Sequence, residues 1–403
     1  MKILMVNDTI EFIGGAETYF HNLSKSLNEK GCEIITLSEE PKKQKNFSYI
    51  KKQYYSKMYP DGKFKYAISR FWNIYARKKM KEIIKIEDPD IIHFHNVFSR
   101  LSPSVIFEAT KHKPTVITIH DTRFDCPNFM YLDKNFNVCN RTFGFKCLLM
   151  QDVPLHIFFY QYLRNFLYRK ALEKVDAIIT LNEFVKNKLK LLIKNKDIFV
   201  QLLFVPYSPN ILKIKRENFI LFVGRIEHYK GLEYLIKAMS IVNKHFDVHL
   251  VVAGDGKERK KMENLANEIN VNIKFLGKVT HNKILELYKK ACIVCVPSLM
   301  DNSPLVVYEA MSCGAPIIAS NVGGIRDLIN NNTDGLLVKP KNSKEIAEKI
   351  MLLLHNKKLR EKIGNNAQKK AKKEFNKEKH VNKILEIYSF AIEKFKRKYR
   401  KNK

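Results

Sequence analysis

Short apolar runs alternate with stretches of helical period along most of the chain, and the alternation runs through twice. In the first half KILMVN (2–7) reads as a strand, GGAETYFHNLSKSLNEKG (14–31) as a helix closed by Gly31, and CEIITLS (32–38) as a second strand. DIIHFHN (90–96) and TVITIHD (115–121) supply two more strands, with a helix around Pro103–Lys111 between them. Residues 121–150 carry no regular period. Beyond them PLHIFFYQYLRNFLYRKALEKVD (154–176) is helical, leading into the strand AIITLN (177–182) and an exposed helix. The run IFVQLLFVPYSPN (198–210) ends in Pro206 and Pro209, which marks an interdomain linker.

The pattern then restarts. FILFVGRI (219–226), VHLVVAGDG (248–256), NIKFLGKV (272–279), CIVCVPS (292–298), APIIASN (315–321) and DGLLVKP (334–340) read as six strands. Helices at 231–245, 257–270, 281–291 and 303–314 separate the first five. Strands alternating with helices imply parallel sheets covered by helices, so the expected fold class is α/β with two consecutive Rossmann-like units. The last 60 residues are helical and Lys-rich, and a helix over 380–398 is long enough to reach back to the first unit. The expected domains are 1–207, 208–375 and a returning helix over 376–403. Open α/β sheets bind ligands at the carboxyl ends of their strands, which places the expected ligand site in a cleft between the two units.

A length of 403 residues fits two cores better than one. No stretch approaches the roughly 20 apolar residues a membrane span needs. The N-terminus MKILMVNDTIEFIGG reads as a strand entering a glycine turn rather than a signal peptide, so the expected location is the cytoplasm. Seven cysteines make no disulfide framework. Cys126, Cys139 and Cys147 are spaced too irregularly for a zinc knuckle, and the Cys292/Cys295 pair lies in a strand where both pack as small hydrophobes.

Charge changes the picture more. The chain has 72 Lys and Arg against 41 Asp and Glu, a net charge of +31. Such a field attracts anions: nucleotides, nucleic acid or an acidic membrane surface. A Lys-rich solvated surface is the plainer explanation. Residues 42–81 hold thirteen basic residues and one acid, Asp61, interleaved with Tyr and Phe. No recognition helix or stacking-sheet motif accompanies the charge, so nucleic acid is not an expected partner.

The stretch PSLMDNSPLVVYEAMSCGAPIIAS (297–320) carries the most chemistry. Asp301 lies in a turn at a strand end, and a helix begins near Ser303 and Pro304, whose free amides can cradle a diphosphate. Glu309 lies about two turns into that helix among Val306, Val307, Ala310 and Met311, where a carboxylate requires a partner such as ribose hydroxyls. A solvated helix position is the alternative.

This block resembles the acid–seven residues–acid signature of retaining nucleotide-sugar glycosyltransferases of the GT-B architecture, specifically glycosyltransferase family 4. GGAE (14–17), IHFHN (92–96), TIHD (118–121), GRIEHYKG (224–231), GDG (254–256) and the Asp301–Glu309 block fall in the family's order, so the resemblance covers nearly the whole chain. It implies two Rossmann-like domains facing across a cleft. It also implies transfer of a sugar from a nucleotide-diphosphate-sugar donor to a hydroxyl of a saccharide or lipid-linked saccharide, as in cell-surface polysaccharide or glycolipid synthesis. Gly14 and Gly15 would let backbone approach the donor phosphates, and Arg225 and Lys230 would neutralise the diphosphate as it leaves. With those cations, no metal and no cofactor are expected, and Asp88-Pro89-Asp90 is read as a turn cap. His120 matches the histidine at the donor sugar, a core histidine being the alternative. Asp301 matches the first acid, where most relatives carry Glu, and its shorter side chain leaves open which sugar hydroxyl it reads. The amides of Asn302, Ser303, Pro304's neighbour Leu305 and Val306 would complete the site, with Glu309 on the ribose and the backbone at Lys278 and Val279 on the base edge. The implied mechanism retains anomeric configuration and uses no protein nucleophile. The acceptor would bind the N-terminal domain, so segments 42–81 and 154–172 are candidates for an anionic membrane face, with a core-facing reading favoured for 154–172. Rival readings are a nucleotide-sugar 2-epimerase of the same architecture and a non-enzymatic polyanion-binding protein.

Overall fold

The computed structural model of the chain describes residues 1–41, 43–57, 69–98, 100–126, 130–139, 141–147, 154–205 and 216–400. Asp61 and the prolines of the expected linker lie outside the described residues. The chain forms two compact units. The first comprises 1–134, 140–202 and 377–403, and the second 135–139 and 203–376.

The first unit is built on a seven-stranded, all-parallel sheet of order β3-β2-β1-β4-β5-β6-β7. Its strands are β1 (Lys2–Val6), β2 (Glu33–Glu39), β3 (Lys52–Ser56), β4 (Ile91–Phe94), β5 (Thr115–Ile119), β6 (Ala177–Thr180) and β7 (Ile198–Val200). The inner strands are continuous apolar runs because helices cover both of their faces. Leu4, Val6, Ile92, Phe94, Ile117 and Ile178 form the heart of this core. Helices α1 (Gly15–Glu29), α2 (Ile74–Glu87), α3 (Ser104–Ala109), α4 (Leu155–Leu172) and α5 (Glu183–Leu192) complete the layers.

Of the segment 42–81, a candidate for an anionic membrane face, residues 43–57 and 69–81 are described. Lys52–Ser56 is an edge strand in register with β2, and some of the segment's cations have acidic partners. Lys52 Nζ meets Glu87 Oε1 at 2.6 Å, Lys51 meets Glu33 at 2.7 Å, and Arg77 meets Glu108 at 2.7 Å. Glu87 also accepts from Tyr54 OH and is held at about 2, far below the ordinary glutamate value, chiefly by the Lys52 and Tyr54 hydrogen bonds. The helix α4 does face the core with one side, burying Phe158, Tyr168, Ala171 and Leu172 together with Arg164 and Asn165. Its other side exposes Leu155, Phe159, Tyr162, Leu163 and Phe166, so the helix has an apolar face toward solvent as well as one toward the core. Asp88 does close a turn, as the left-handed C-cap of α2.

The second unit has a six-stranded parallel sheet of order β10-β9-β8-β11-β12-β13. Its strands are β8 (Glu217–Val223), β9 (His249–Ala253), β10 (Ile273–Gly277), β11 (Ala291–Val296), β12 (Ile317–Ser320) and β13 (Leu336–Val338). Helices α6 (Leu232–Val242), α7 (Arg259–Glu268), α8 (His281–Lys290), α9 (Leu305–Ser312), α10 (Ile325–Leu328), α11 (Ser343–His355) and α12 (Lys357–Glu374) pack around it over a core that includes Ile220, Leu250, Val252 and Ile293.

The last helix, α13 (Lys377–Arg400), belongs to the first unit. It buries Val381, Ile384, Ile387, Tyr388 and Ala391 there. Tyr19 OH hydrogen-bonds His380 Nε2 at 2.8 Å, and Lys394 pairs with Asp197 at 2.6 Å. Among the described residues no helix is long and apolar enough to cross a membrane.

Candidate active site

In each sheet the strand order reverses once, between β1 and β4 in the first and between β8 and β11 in the second. At such a switch point the loops leaving two adjacent strands diverge and open a crevice at their carboxyl ends. The chemistry-bearing residues of both units collect there.

In the second unit the loop after β8 carries Arg225 and Lys230, and the loop after β11 carries Asp301. Lys230 Nζ hydrogen-bonds Asp301 Oδ2 at 2.5 Å, straddling the switch point. Two glycines hold these loops in place. Gly231 has φ 72°, and a Cβ there would stand 2.0 Å from the Pro297 carbonyl oxygen. Gly323 has φ 49°, and a Cβ there would stand 2.1 Å from the Asp301 carbonyl oxygen. Gly324 N donates to that same oxygen at 3.0 Å. Each contact is closer than any side chain permits, so only glycine allows these turns.

Tyr229 organises both cations. Its hydroxyl accepts from Arg225 Nη2 at 2.5 Å, and the Lys230 ammonium lies 5.4 Å from its ring centroid. Past Asp301 the chain turns through Asn302, Ser303 and Pro304 into α9, where Leu305 and Val306 form the first turn. First-turn amides have no acceptor within a helix and point toward its N-terminus. Ser303 Oγ is paired with the buried Tyr308 hydroxyl at 2.9 Å, which ties the turn to its own helix.

Glu309 does not join the Lys230–Asp301 pair. Its Oε2 accepts from Tyr288 OH at 3.1 Å, and its Oε1 lies 3.7 Å from His281 Nδ1. Burial pushes its carboxyl up to about 7 against the opposing effect of the Tyr288 hydrogen bond. Lys278, exposed, and Val279 follow β10 and lead into α8, the helix that carries His281 and Tyr288. The predicted residues of this unit therefore form two neighbouring groups along one sheet edge: the Lys230–Asp301 pair with its turn, and the Glu309 group.

In the first unit His120 follows β5 and lines a small pocket together with His95, Asn96, Thr118, Asp121 and Arg123. Its Nε2 lies 3.1 Å from His95 Nδ1. His93 lies beside them, bonded through Nδ1 to Tyr388 OH at 2.7 Å and through Nε2 to Thr118 Oγ1 at 2.8 Å. Desolvation lowers His120 to about 4 and His93 to about 3, so both rings are neutral at neutral pH. Gly14 and Gly15 are exposed at the start of α1. Gly14 has an extended backbone, and a Cβ there would meet only Glu17 Oε2 at 3.5 Å, so the fold itself does not demand a glycine.

The sequence reading gave no role to His95, Tyr229, Tyr288 or Gly323. His95 was visible within IHFHN and Tyr229 within GRIEHYKG, but only their contacts distinguish them. Among the described residues no group of three or more His, Cys, Asp or Glu is placed to hold a metal ion.

With this geometry in hand, comparison with known proteins is decisive. The profile for Glycosyltransferase Family 4 matches residues 13–200, and that for Glycosyl transferases group 1 matches residues 204–370. The chain belongs to the family 4 glycosyltransferases. An uncharacterized glycosyltransferase of Methanocaldococcus jannaschii is 28% identical over 391 residues, covering 96% of this chain and 98% of its own. A Campylobacter jejuni relative is 33% identical over 161 residues, 39% of this chain and 44% of its own. Its name is GalNAc-alpha-(1->4)-GalNAc-alpha-(1->3)-diNAcBac-PP-undecaprenol alpha-1,4-N-acetyl-D-galactosaminyltransferase. Among solved structures, sucrose-phosphate synthase from Thermosynechococcus elongatus superposes with a TM-score of 0.73 at 20% identity, covering 96% of this chain and 98% of the other. Anabaena HepE, solved in complex with UDP, superposes with a TM-score of 0.69 at 18% identity, covering 96% and 100%. At such identities the likeness establishes the GT-B fold. This glycosyltransferase is thus an enzyme whose two Rossmann-like units each present a cluster at a sheet switch point.

Proposed function

We propose that this glycosyltransferase moves a sugar from a nucleotide-diphosphate-sugar to a saccharide hydroxyl with retention of configuration and without a metal. The Lys230–Asp301 pair carries the reading. It places a cation and a carboxylate at the switch point beside a helix N-terminus, the arrangement a sugar diphosphate requires. On binding, the diphosphate competes for the Lys230 ammonium, with Arg225 beside it, and the released Asp301 carboxylate accepts from sugar hydroxyls. The turn amides from Asn302 to Val306 receive the sugar and phosphate oxygens. Glu309 takes the ribose, and the backbone at Lys278 and Val279 takes the base edge. His120 serves the transferred sugar as a neutral hydrogen-bond donor, and Gly14 and Gly15 leave room for phosphate.

In the transfer the acceptor oxygen bonds to the anomeric carbon as the bond from that carbon to the phosphate oxygen breaks. The acceptor's proton passes to the departing phosphate oxygen on the same face. The protein supplies charge and position rather than a nucleophile.

A thermal-shift screen against UDP, GDP, ADP and their sugar conjugates tests the donor site, because a tight ligand stabilises the native state. One base should give a clear shift that disappears in Lys230→Ala. Product anomeric configuration by NMR then decides retention, turnover in EDTA decides metal independence, and donor incubated alone exposes any epimerase activity. No shift with any nucleotide at millimolar concentration sinks the reading.

The acceptor reading rests on α4. Globular helices bury one apolar stripe, and this one buries Phe158, Tyr168, Ala171 and Leu172 but also exposes Leu155, Phe159, Tyr162, Leu163 and Phe166, with Phe145 exposed in the preceding segment. Phe143 and Phe145 pack on Phe158 at 5.0 and 5.4 Å, tying that segment to the helix. Lys146 and Lys170 are exposed on the same stretch of chain. An aromatic face flanked by cations suits an anionic lipid surface, and the name of the Campylobacter jejuni relative specifies a PP-undecaprenol-linked saccharide. The acceptor is therefore assigned to lipid-linked saccharides met at the inner membrane face, in cell-surface polysaccharide or glycolipid synthesis. Co-sedimentation should show binding to phosphatidylglycerol vesicles, weaker binding to phosphatidylcholine, and loss in the Phe159→Ser, Tyr162→Ser, Phe166→Ser triple variant. Absence of vesicle binding at low salt overturns the membrane assignment and leaves the donor site standing.

A further inference from the structure

His120 is bound to a second histidine whose remaining nitrogen has nothing to bond. His95 is buried, with its Nδ1 facing His120 Nε2 at 3.1 Å. Its Nε2 is buried without a hydrogen-bond partner. Aromatic rings surround it: Phe20 stands edge-on at 5.2 Å, Tyr19 lies at 5.9 Å and the His93 ring at 4.3 Å. Both nitrogens of His93 are already engaged, by Tyr388 and by Thr118, so His93 offers His95 nothing.

One proton lies between His95 Nδ1 and His120 Nε2, and the neighbourhood decides which ring owns it. If it belonged to His120, neutral His95 would carry its own proton on Nε2 and bury an N–H with no acceptor. If it belongs to His95, only a bare lone pair is left without a partner. A buried unpaired N–H is the rarer and costlier defect. We infer that His95 is a positioning residue whose Nδ1–H donates to His120 Nε2, holding His120 as the tautomer that carries its proton on Nδ1.

The consequence reaches the pocket. With Nε2 occupied as an acceptor, His120 presents Nδ1–H as its free group: a fixed, uncharged donor for a substrate oxygen, unable to act as a base. Burial keeps both rings neutral, in keeping with that role. The functional part of this assignment rests on the proposed role of His120 at the transferred sugar; the tautomer does not.

Long-range 1H–15N spectra of protein labelled at histidine test the tautomer directly, with His120 assigned by its loss in His120→Gln. The expected pattern is a protonated Nδ1 and an unprotonated Nε2. A proton on Nε2 overturns the inference, and no turnover is needed to see it, so the result stands apart from whether sugar transfer is observed. Kinetics then test the positioning. His95→Leu removes the donor, and kcat should fall about tenfold with donor KM within about twofold. His95→Asn places an amide N–H near the Nδ1 position and should restore most of kcat. Equal losses in Leu and Asn variants would overturn positioning in favour of simple packing. If His95→Leu does not fold, the wild-type tautomer and the Asn variant decide between them.

Discussion

The two switch-point clusters differ in the groups at their centres. In the first unit His95 and His120 stack on each other with His93 tilted beside His95, and Tyr19, Phe20 and Tyr388 stand edge-on around them, with burial holding His93 and His120 neutral. In the second, Lys230 and Asp301 form an ion pair with Arg225 nearby. A neutral cluster can be buried and rigid because desolvation costs it little, whereas a charged one requires a partner for each charge at every stage. The histidines are thus uncharged donors, although the Asp121–Arg123 ion pair, 2.7 Å apart, lines the same pocket. The Lys230–Asp301 charges lie at a half-buried edge, where an incoming anion can take over one side of an existing pair.

That contrast predicts an order of effects. The largest loss should follow Lys230→Ala, which removes the diphosphate's cation and leaves Asp301 without its partner. Transfer should fall about a thousandfold with nucleotide binding weakened in parallel, read from kcat/KM and calorimetry. Next, His120→Leu should cost about a hundredfold in kcat with little change in nucleotide affinity, since it removes an uncharged donor from the transition state. If His120→Leu instead abolished nucleotide binding and Lys230→Ala spared it, the assignment of charge to one unit and orientation to the other would be broken.

A smaller effect sharpens the electrostatics. Glu309 sits at about 7, above the ordinary value near 4.5, so between these limits the folded state binds a proton that the unfolded state has released. Its contribution to stability therefore declines as pH rises from about 4.5 to about 7, and Glu309→Gln should flatten that slope in thermal melts. Ribose hydroxyls donating to the carboxylate favour its ionised form. Nucleotide binding near pH 7 should release part of a proton, and affinity should rise between about pH 6 and pH 8; calorimetry in buffers of different ionisation enthalpy measures both. Glu309→Gln removes the linkage.

The smallest expected change is at Tyr229, whose ring and hydroxyl position two cations. Tyr229→Phe deletes one hydrogen bond to Arg225 and keeps the ring, so donor KM should rise about threefold with kcat nearly unchanged. Tyr229→Ala should weaken donor binding further.

Much of this was legible before any coordinates. Buried parallel strands are uninterrupted apolar runs, so KILMV, TVITI, AIIT and ACIVCV announce themselves. The strand KQYYS lies at the sheet edge and reads as polar chain, and the helix IYARKKMKEIIKIE is masked by its lysines although Ala76, Met80, Ile83 and Ile84 are buried at helical spacing. At the candidate site Asp301 and Glu309 stood out because strand end, turn and helix N-terminus are contiguous in the chain.

The alternation of periods determined two parallel α/β units, and the local motifs determined which residue types gather at strand ends. Both are properties of contiguous segments, set by side-chain periodicity and backbone turns. Only the tertiary structure paired Lys230 with Asp301 across 71 residues, seated Gly323 against the Asp301 carbonyl, and gave His120 a buried histidine partner. It alone set Arg164 and Asn165 inside beside the buried Phe158 and Tyr168 of α4: the guanidinium lies 4.1 Å from the Phe98 ring, and the amide donates to the Asp125 carbonyl at 3.0 Å. Such choices depend on strand order and on what each neighbour can satisfy, and those relations exist only once distant segments have met.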